Sequence, residues 1–311
     1  MARLVFLGTP EAAVPPLLAL VEAGHDIALV VTRPDKRRGR GSTLAPSPVK
    51  AAATGLGLEV SDSLEDAAGI GAELGVVVAY GRIIPVAVLD RLPMVNLHFS
   101  LLPRWRGAAP VERTILEGDA ETGVCLMAVE SGLDTGGIYA EEGTTVGEEE
   151  TADELRSRLV AIGCRLLVEH LAEGRASLPP ARDQSGTPSY AEKINAAELH
   201  LQWGQPAVQL RRVIRLGRAW TTFRGRRLTV LRATGVVGSG SPGPGEVAGS
   251  GGVAGSRDVA DAPGTLDGTD VVAGDGHRVA LLTVQPEGRR PMDAGDWLRG
   301  VRPEAGERLG P

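Results

Sequence analysis

"RLVFLGTPEAAVPPLLALVEAGHDIALVVT" occupies residues 3–32 and decides the fold class. RLVFLG (3–8) is a brief apolar run closed by glycine, which reads as a buried strand. PEAAVPPLLALVEAGH (10–25) reads as a helix, with Pro10 near its first turn and Gly24 near its end. IALVVT (27–32) is a second strand. Strand–helix–strand in this order implies a right-handed parallel crossover, the building unit of an open α/β sheet.

The pattern continues outward. SPVKAAATGLG (47–57) is compatible with a helix. LGVVVAYG (74–81) and MVNLHFS (94–100) read as further strands, VERTILEG (111–118) as a helix, and TGVCLMAVE (122–130) as a strand. TADELRSRLVAIGCRLLVEHLAEG (151–174) is the clearest helix: Thr151 and Glu154 have capping-box spacing, and Leu155, Leu159, Ile162, Leu166 and Leu171 approximate one apolar stripe. The expected architecture is α/β, an open, mostly parallel, Rossmann-like sheet in residues 1–182. Residues 183–200 are polar, rich in turn formers, and read as a linker. Residues 201–311 carry one helical segment, AVQLRRVIRLG, and then short β-like runs with glycine turns, which suggest a smaller β-barrel of OB-like type. Residues 235–257 are Gly/Ser/Pro-rich and read as a flexible insertion in that second domain.

The 311 residues are 42% hydrophobic and carry a net charge of -6. Such a balance argues for a globular chain with a real core and against bulk attraction to nucleic acid, although local basic patches remain open. The two cysteines, Cys125 and Cys164, lie in apolar stretches without CxxC spacing, which points to a reduced, cytoplasmic setting. MARLVFLGTP has too short an apolar run for a secretion signal, and no segment has membrane-spanning length.

The first strand ends in GTPEAA, so neither a dinucleotide fingerprint nor a P-loop is present. A ligand is still expected at the C-terminal ends of the strands. Asn96 and His98 fall at such an end, two apart, so both face one side of their strand. Asp134 stands in SGLDTGGIY (131–139), in a turn made by glycines. An amide that donates to an oxyanion, an imidazole that moves a proton or stabilises charge, and a carboxylate that orients the histidine form a set suited to acyl transfer. Taken singly, the same residues read as a strand-end hydrogen bonder, a structural histidine and an Asx-turn. No serine or cysteine stands in an elbow motif, which favours direct transfer over a covalent acyl-enzyme.

NLHFSLLPRWRGAAP (96–110) followed by ETGVCLMAVESGLDTGGIY (121–139) resembles the formyltransferase family that uses 10-formyltetrahydrofolate. The family pattern is Asn-x-His, SLLP, a basic–aromatic–basic RGAAP turn and then LDTG. FLGTPEAAVPPLLALVEAGHDIALVVTRPDKRRGRG, AYGRIIP, SYAEKI and GDGHRVALLTVQPEGRRPM extend the resemblance nearly end to end, toward the branch that acts on charged tRNA. The resemblance implies that Asn96, His98 and Asp134 are catalytic and that Ser100, Leu101, Leu102 and Pro103 contact the folate. It further implies transfer of the formyl group of 10-formyltetrahydrofolate to the α-amino group of initiator methionyl-tRNA through a tetrahedral intermediate, without a metal, by a cytoplasmic monomer. A sugar-nucleotide formyltransferase or a formyltetrahydrofolate hydrolase would share the same three residues. A tRNA-binding protein with a decayed site is a third reading, opposed by the intact set.

RPDKRRGRGSTLAPSPVK (33–50) and residues 205–234 are basic islands, the second with eight arginines and no acid. Islands of this kind in an acidic chain suggest phosphate contact. The alternative is a solvated face balanced by the acidic stretch 141–154. Arg38, Arg40, Lys50, Arg211, Arg215 and Arg218 are the expected tRNA contacts, with Arg40 matching the family's loop arginine. Trp220 and Phe223 are open to either base stacking or core filling.

Overall fold

The computed structural model describes residues 1–38, 43–236 and 262–310. It comprises two units. The first is Met1–Thr114, Asp119–Gly147 and Asp153–Lys193; the second is Ile115–Gly118, Glu148–Ala152 and Ile194–Pro311. The Gly/Ser/Pro-rich stretch expected at 235–257 lies outside the described residues beyond Val236.

In the first unit the elements run β1 (Arg3–Gly8), α1 (Val14–Glu22), β2 (Asp26–Val31), β3 (Lys36–Arg38), β4 (Thr43–Ala45), α2 (Pro48–Gly55), β5 (Val60–Ser61), α3 (Leu64–Gly69) and β6 (Leu74–Val78). They continue with α4 (Val86–Leu89), β7 (Met94–His98), β8 (Arg106–Gly107), α5 (Pro110–Glu117, from Ile115 on counted in the second unit), β9 (Glu121–Ala128), β10 (Ile138–Thr145), α6 (Ala152–His170, its first residue counted in the second unit) and β11 (Tyr190–Ala191). The main sheet has the order β10-β9-β7-β6-β1-β2-β5. From β7 to β5 every pairing is parallel; β9 and β10 close the other edge antiparallel. The sheet is therefore mostly parallel, as the strand–helix–strand reading requires.

Local chemistry explains the boundaries. The first helix starts at Val14 rather than at Pro10, because a 3-10 turn takes Glu11–Ala13 and prolines occupy the helix's own first turn. Ser47 caps α2, its hydroxyl accepting from the Lys50 N–H at 3.0 Å, with Pro48 following it. The stripe of α6 is inward: Leu155 and Leu159 are 0% exposed, Leu166 is 5% exposed, and Leu171 just beyond the helix is also 0% exposed. Strand β10 was not evident from the sequence. Its burial alternates, so half of its residues are polar and face water.

In the second unit α7 (Ala207–Ile214) precedes β12 (Ala219–Phe223), β13 (Arg226–Val236), β14 (Leu266–Asp267), β15 (Asp270–Val272), β16 (Arg278–Pro286), β17 (Met292–Asp293) and α8 (Ala294–Val301). The strands form one six-stranded antiparallel sheet, order β12-β13-β16-β15-β14, with β17 on β16. Its core holds Trp203, Leu210, Phe223, Val284 and Trp297. Phe223 meets Trp297 edge to face at 5.2 Å, so this phenylalanine fills the core. Trp220 lies on the other face of β12, stacked on His200 at 4.2 Å and under the Arg227 guanidinium at 4.6 Å. Among the described residues, no helix is long and apolar enough to cross a membrane.

His25, between α1 and β2, is 7% exposed, and neither ring nitrogen has a hydrogen-bond partner among the described residues. Burial first, then the N-terminal ammonium, lowers its pKa below the ordinary 6.5, against a weaker pull from Glu73. The fold therefore holds the ring neutral while the unfolded chain takes up a proton. This contribution is complete above the unfolded pKa and is lost as pH falls through it toward the folded value. Melting followed by circular dichroism should show a lower Tm at pH about 5.5 than at about 7.5. His25→Leu should flatten that slope; an unaltered slope would place the acid sensitivity elsewhere.

Candidate active site

Strand β7 is held between β6 and β9, with Asn96 paired to Val77 on one side and Met127 on the other. Side chains alternate along a strand, so Asn96 and His98 share a face and Leu97 takes the opposite one. Leu97 is 2% exposed and is covered by α6, where a Cβ on Gly163 would lie 3.0 Å from its Cδ1. The leucine thereby decides which way the amide and the imidazole point. Asn96 is half-buried.

His98 is 5% exposed. Its Nε2 lies 2.8 Å from the carbonyl oxygen of Trp105. A carbonyl only accepts, so Nε2 carries a hydrogen and the neutral ring keeps its lone pair at Nδ1. Nδ1 faces Asp134 Oδ2 at 3.7 Å, beyond hydrogen-bond reach. That oxygen instead accepts from the Gly107 N–H at 2.7 Å. The ring is thus oriented by a main-chain carbonyl rather than by the carboxylate. Asp134 stands across a short gap, placed to stabilise a proton that arrives on Nδ1.

The segment after β7 is stiff for identifiable reasons. Ser100, 1% exposed, donates through its hydroxyl to the Arg104 carbonyl at 2.6 Å. The Leu102 N–H donates to Cys125 Sγ at 3.4 Å, and Leu102 packs with Cys125, Met127 and Ile138. Leu101 rests against Gly123, where a Cβ would meet its Cδ2 at 2.5 Å. The Ser189 N–H donates to the Pro103 carbonyl at 3.2 Å, and the Ser189 hydroxyl accepts from the Trp105 N–H at 2.9 Å. With these side chains turned inward, the segment offers a ligand chiefly its main chain.

A second tie comes from the same downstream stretch. Arg106 donates to Gln184 Oε1 from Nε at 3.1 Å and from Nη2 at 2.6 Å. The Gln184 amide in turn donates to the carbonyls of Asp134 at 2.8 Å and Gly136 at 2.9 Å. β8 pairs with β11, and Gly107 at φ +122 approaches so closely that a Cβ would lie 2.9 Å from the Ala191 carbonyl oxygen. Trp105, Gly107, Gln184 and Ser189 were not legible as site residues. Two of them act through main-chain atoms, which no side-chain pattern reveals; of the other two, Gln184 lies 50 residues from Asp134 and Ser189 lies 84 residues from Trp105, the residues they hold.

The arginines chosen for tRNA contact fare differently from one another. The Arg38 side chain and all of Arg40 lie outside the described residues. Lys50 Nζ donates to both Asp35 carboxylate oxygens at 2.9 Å. In the second unit Arg211 pairs with Glu149, and Arg215 donates to the Glu150 carbonyl at 2.7 Å. The acidic stretch 141–154 therefore does meet part of this basic island. Arg218 is exposed.

Residues 2–171 match the family described as Formyl transferase, and residues 193–302 match the family described as Formyl transferase, C-terminal domain. A protein of Dinoroseobacter shibae named methionyl-tRNA formyltransferase is 43% identical over 313 residues, spanning 96% of this chain and 97% of that protein. One of the same name from Ruegeria pomeroyi is 41% identical, spanning 99% of this chain and 100% of that protein. Among solved structures, a Helicobacter canadensis N-formyltransferase in complex with folinic acid and dTDP-3-aminofucose has TM-score 0.64 at 17% identity, covering 92% of this chain and 100% of that chain. A Clostridium thermocellum methionyl-tRNA formyltransferase has TM-score 0.57 at 18% identity, covering 78% and 96%. These two likenesses speak to the fold.

Burial, with a smaller push from Glu141, raises the Cys125 thiol to about 12 against a weaker pull from the Leu102 N–H. Cys164 is also raised, first by burial and then by Glu22, but it is only half-buried. Iodoacetamide at pH about 8 should therefore modify Cys164 well before Cys125, read by peptide mass mapping. Faster labelling at Cys125 would mean that the segment above it opens.

Proposed function

The chain belongs to the formyl transferase family, among the methionyl-tRNA formyltransferases, and from that premise we propose that Asn96, His98 and Asp134 are its catalytic residues. The enzyme transfers a formyl group to the α-amino group of methionyl-tRNA, giving the N-formylated aminoacyl-tRNA used in translation initiation. The donor is a formyl-tetrahydrofolate, 10-formyltetrahydrofolate in this reading, and no metal takes part. The solved Helicobacter canadensis relative, which carries folinic acid, is consistent with such a donor.

One observation carries the residue assignment: His98 Nε2 is engaged by the Trp105 carbonyl at 2.8 Å, so that in its neutral form the ring presents Nδ1 as the acceptor beside Asp134. An α-amine titrates near about 7.7–8.0, so much of the nucleophile is already neutral at physiological pH. The protein's work is then positioning and charge stabilisation. The Asn96 amide donates to the oxyanion that develops on the formyl oxygen. His98 takes the proton of the attacking amine at Nδ1, and Asp134 stabilises the resulting imidazolium across the gap; as the tetrahedral intermediate collapses, the bond between the formyl carbon and the donor nitrogen breaks and the imidazolium returns the proton to that leaving nitrogen. The main chain of Ser100, Leu101, Leu102 and Pro103 borders the same site and is assigned to the folate.

The tRNA is assigned to the basic residues Arg38, Arg40, Lys50, Arg211, Arg215 and Arg218. The catalytic domain is taken as residues 1–182, the linker as 183–200 and the tRNA-binding domain as 201–311. We read the enzyme as a cytoplasmic monomer.

The experiment is formyl transfer to charged methionyl-tRNA by purified protein. Asn96→Ala and His98→Ala should each lower kcat by about 10²–10³ or more, the usual scale for losing a placed oxyanion donor or proton acceptor. Formylation of sugar amines with charged tRNA ignored would overturn the substrate. Full activity of both variants would overturn the residue assignment.

A further inference from the structure

Three hydrogen bonds converge on one carboxylate outside the proposed catalytic set. Asp119 Oδ2 accepts from Arg104 Nε and from Trp105 Nε1, each at 2.8 Å, and Asp119 Oδ1 accepts from Arg104 Nη2 at 2.5 Å. The Asp119 side chain is 16% exposed, whereas that of Arg104 is 49% exposed. The Arg104 guanidinium also lies 4.5 Å from the centre of the Trp105 ring. The indole is therefore gripped at its edge by the carboxylate and on its face by the cation.

The grip bears on an unusual backbone. Trp105 has φ +64, a left-handed conformation that bulky residues rarely adopt without being held there. The direction of its carbonyl follows from that conformation, and this carbonyl receives the His98 Nε2–H at 2.8 Å. On the other side of the same residue, the main-chain N–H is fixed by the Ser189 hydroxyl at 2.9 Å.

We propose that Asp119 is a positioning residue for formyl transfer, acting through Trp105 to hold His98 in the tautomer that leaves Nδ1 free. The chain of causes is short. The carboxylate clamps the indole, the clamped indole keeps the left-handed backbone, and the carbonyl so directed keeps the hydrogen on Nε2. An exposed Arg–Asp pair alone contributes little. The buried indole N–H is what links the carboxylate to the site, because an unpaired donor there would be costly. This inference rests on the reading of His98 as a catalytic residue.

The test uses the full-length enzyme labelled with 15N-histidine. Asp119→Asn keeps the size but turns one acceptor into a donor facing Arg104 or the indole. The expected result is a kcat lower by about 10–100-fold, the scale seen for hydrogen-bond partners that orient metal-ligating histidines, with KM for both substrates little changed. The His98 nitrogens should also lose their single pattern of protonated Nε2 and bare Nδ1. Trp105→Phe removes the indole donor, along with part of the ring, while keeping an aromatic face under Arg104 and both partners of the Asp119–Arg104 pair. It should move both readouts the same way, and it decides the matter if Asp119→Asn fails to fold. An unchanged nitrogen pattern and unchanged kcat in Trp105→Phe would overturn the proposal. His98→Ala separates the two levels. If it is inactive while the nitrogen pattern ignores Asp119 and Trp105, the positioning role fails and the histidine's role stands. If it is fully active, the reading of His98 itself fails.

Discussion

A strand that must bury Leu97 on one face has no freedom over where Asn96 and His98 go. The parallel pairing with β6 and the antiparallel pairing with β9 lock the register of β7 from both sides. A slip of one residue would send the leucine into the site and the imidazole under α6. Glycine at position 163 eases the helix's approach, since an added Cβ would crowd Leu97 at 3.0 Å and lie in ordinary contact with Val124 at 3.6 Å. The direction of these two side chains is thus set from behind, by apolar packing on the α6 face of the sheet.

In front of the sheet the organising forces are polar. His98, Ser100, Trp105, Gly107, Gln184 and Ser189 form linked hydrogen bonds in which each buried donor meets an acceptor. Networks of this kind stiffen their members together, since the loss of one partner strands another in a low-dielectric setting. Left-handed backbone at Trp105 and Asp134, both non-glycine, is sustained inside this mesh. A loop with few internal contacts would relax both.

The parallel strands were legible because a strand buried on both faces reads as an unbroken apolar run, as VFL in β1 and VVV in β6 do. The helix 151–174 was legible from its stripe. Strand β10 was not, since IYAEEGTT alternates and its polar half looks like loop. The side chains of the site were visible where their type and spacing carried meaning: Asn96 two before His98, and Asp134 among glycines. What stayed hidden was the division of labour between them. That a main-chain carbonyl would orient the imidazole, leaving Asp134 at 3.7 Å, depends on one φ angle at residue 105 and on partners distant in the chain. The arginines of α7 show the same limit. Composition marks them as phosphate binders, yet Arg211 is met by Glu149, which lies sixty residues earlier in the sequence.

The short parallel bridge of β8 with β11 has a consequence for how the molecule comes into being. Its second strand, Tyr190–Ala191, follows α6 by some twenty residues. During synthesis the sheet and its covering helices emerge first, and for that interval Gly107 has no Ala191 to lean on and Arg106 no Gln184. A nascent chain halted at the end of α6 would own every proposed catalytic side chain and still lack the brace that seats them. That brace arrives with the tail of the first unit, not with its last helix.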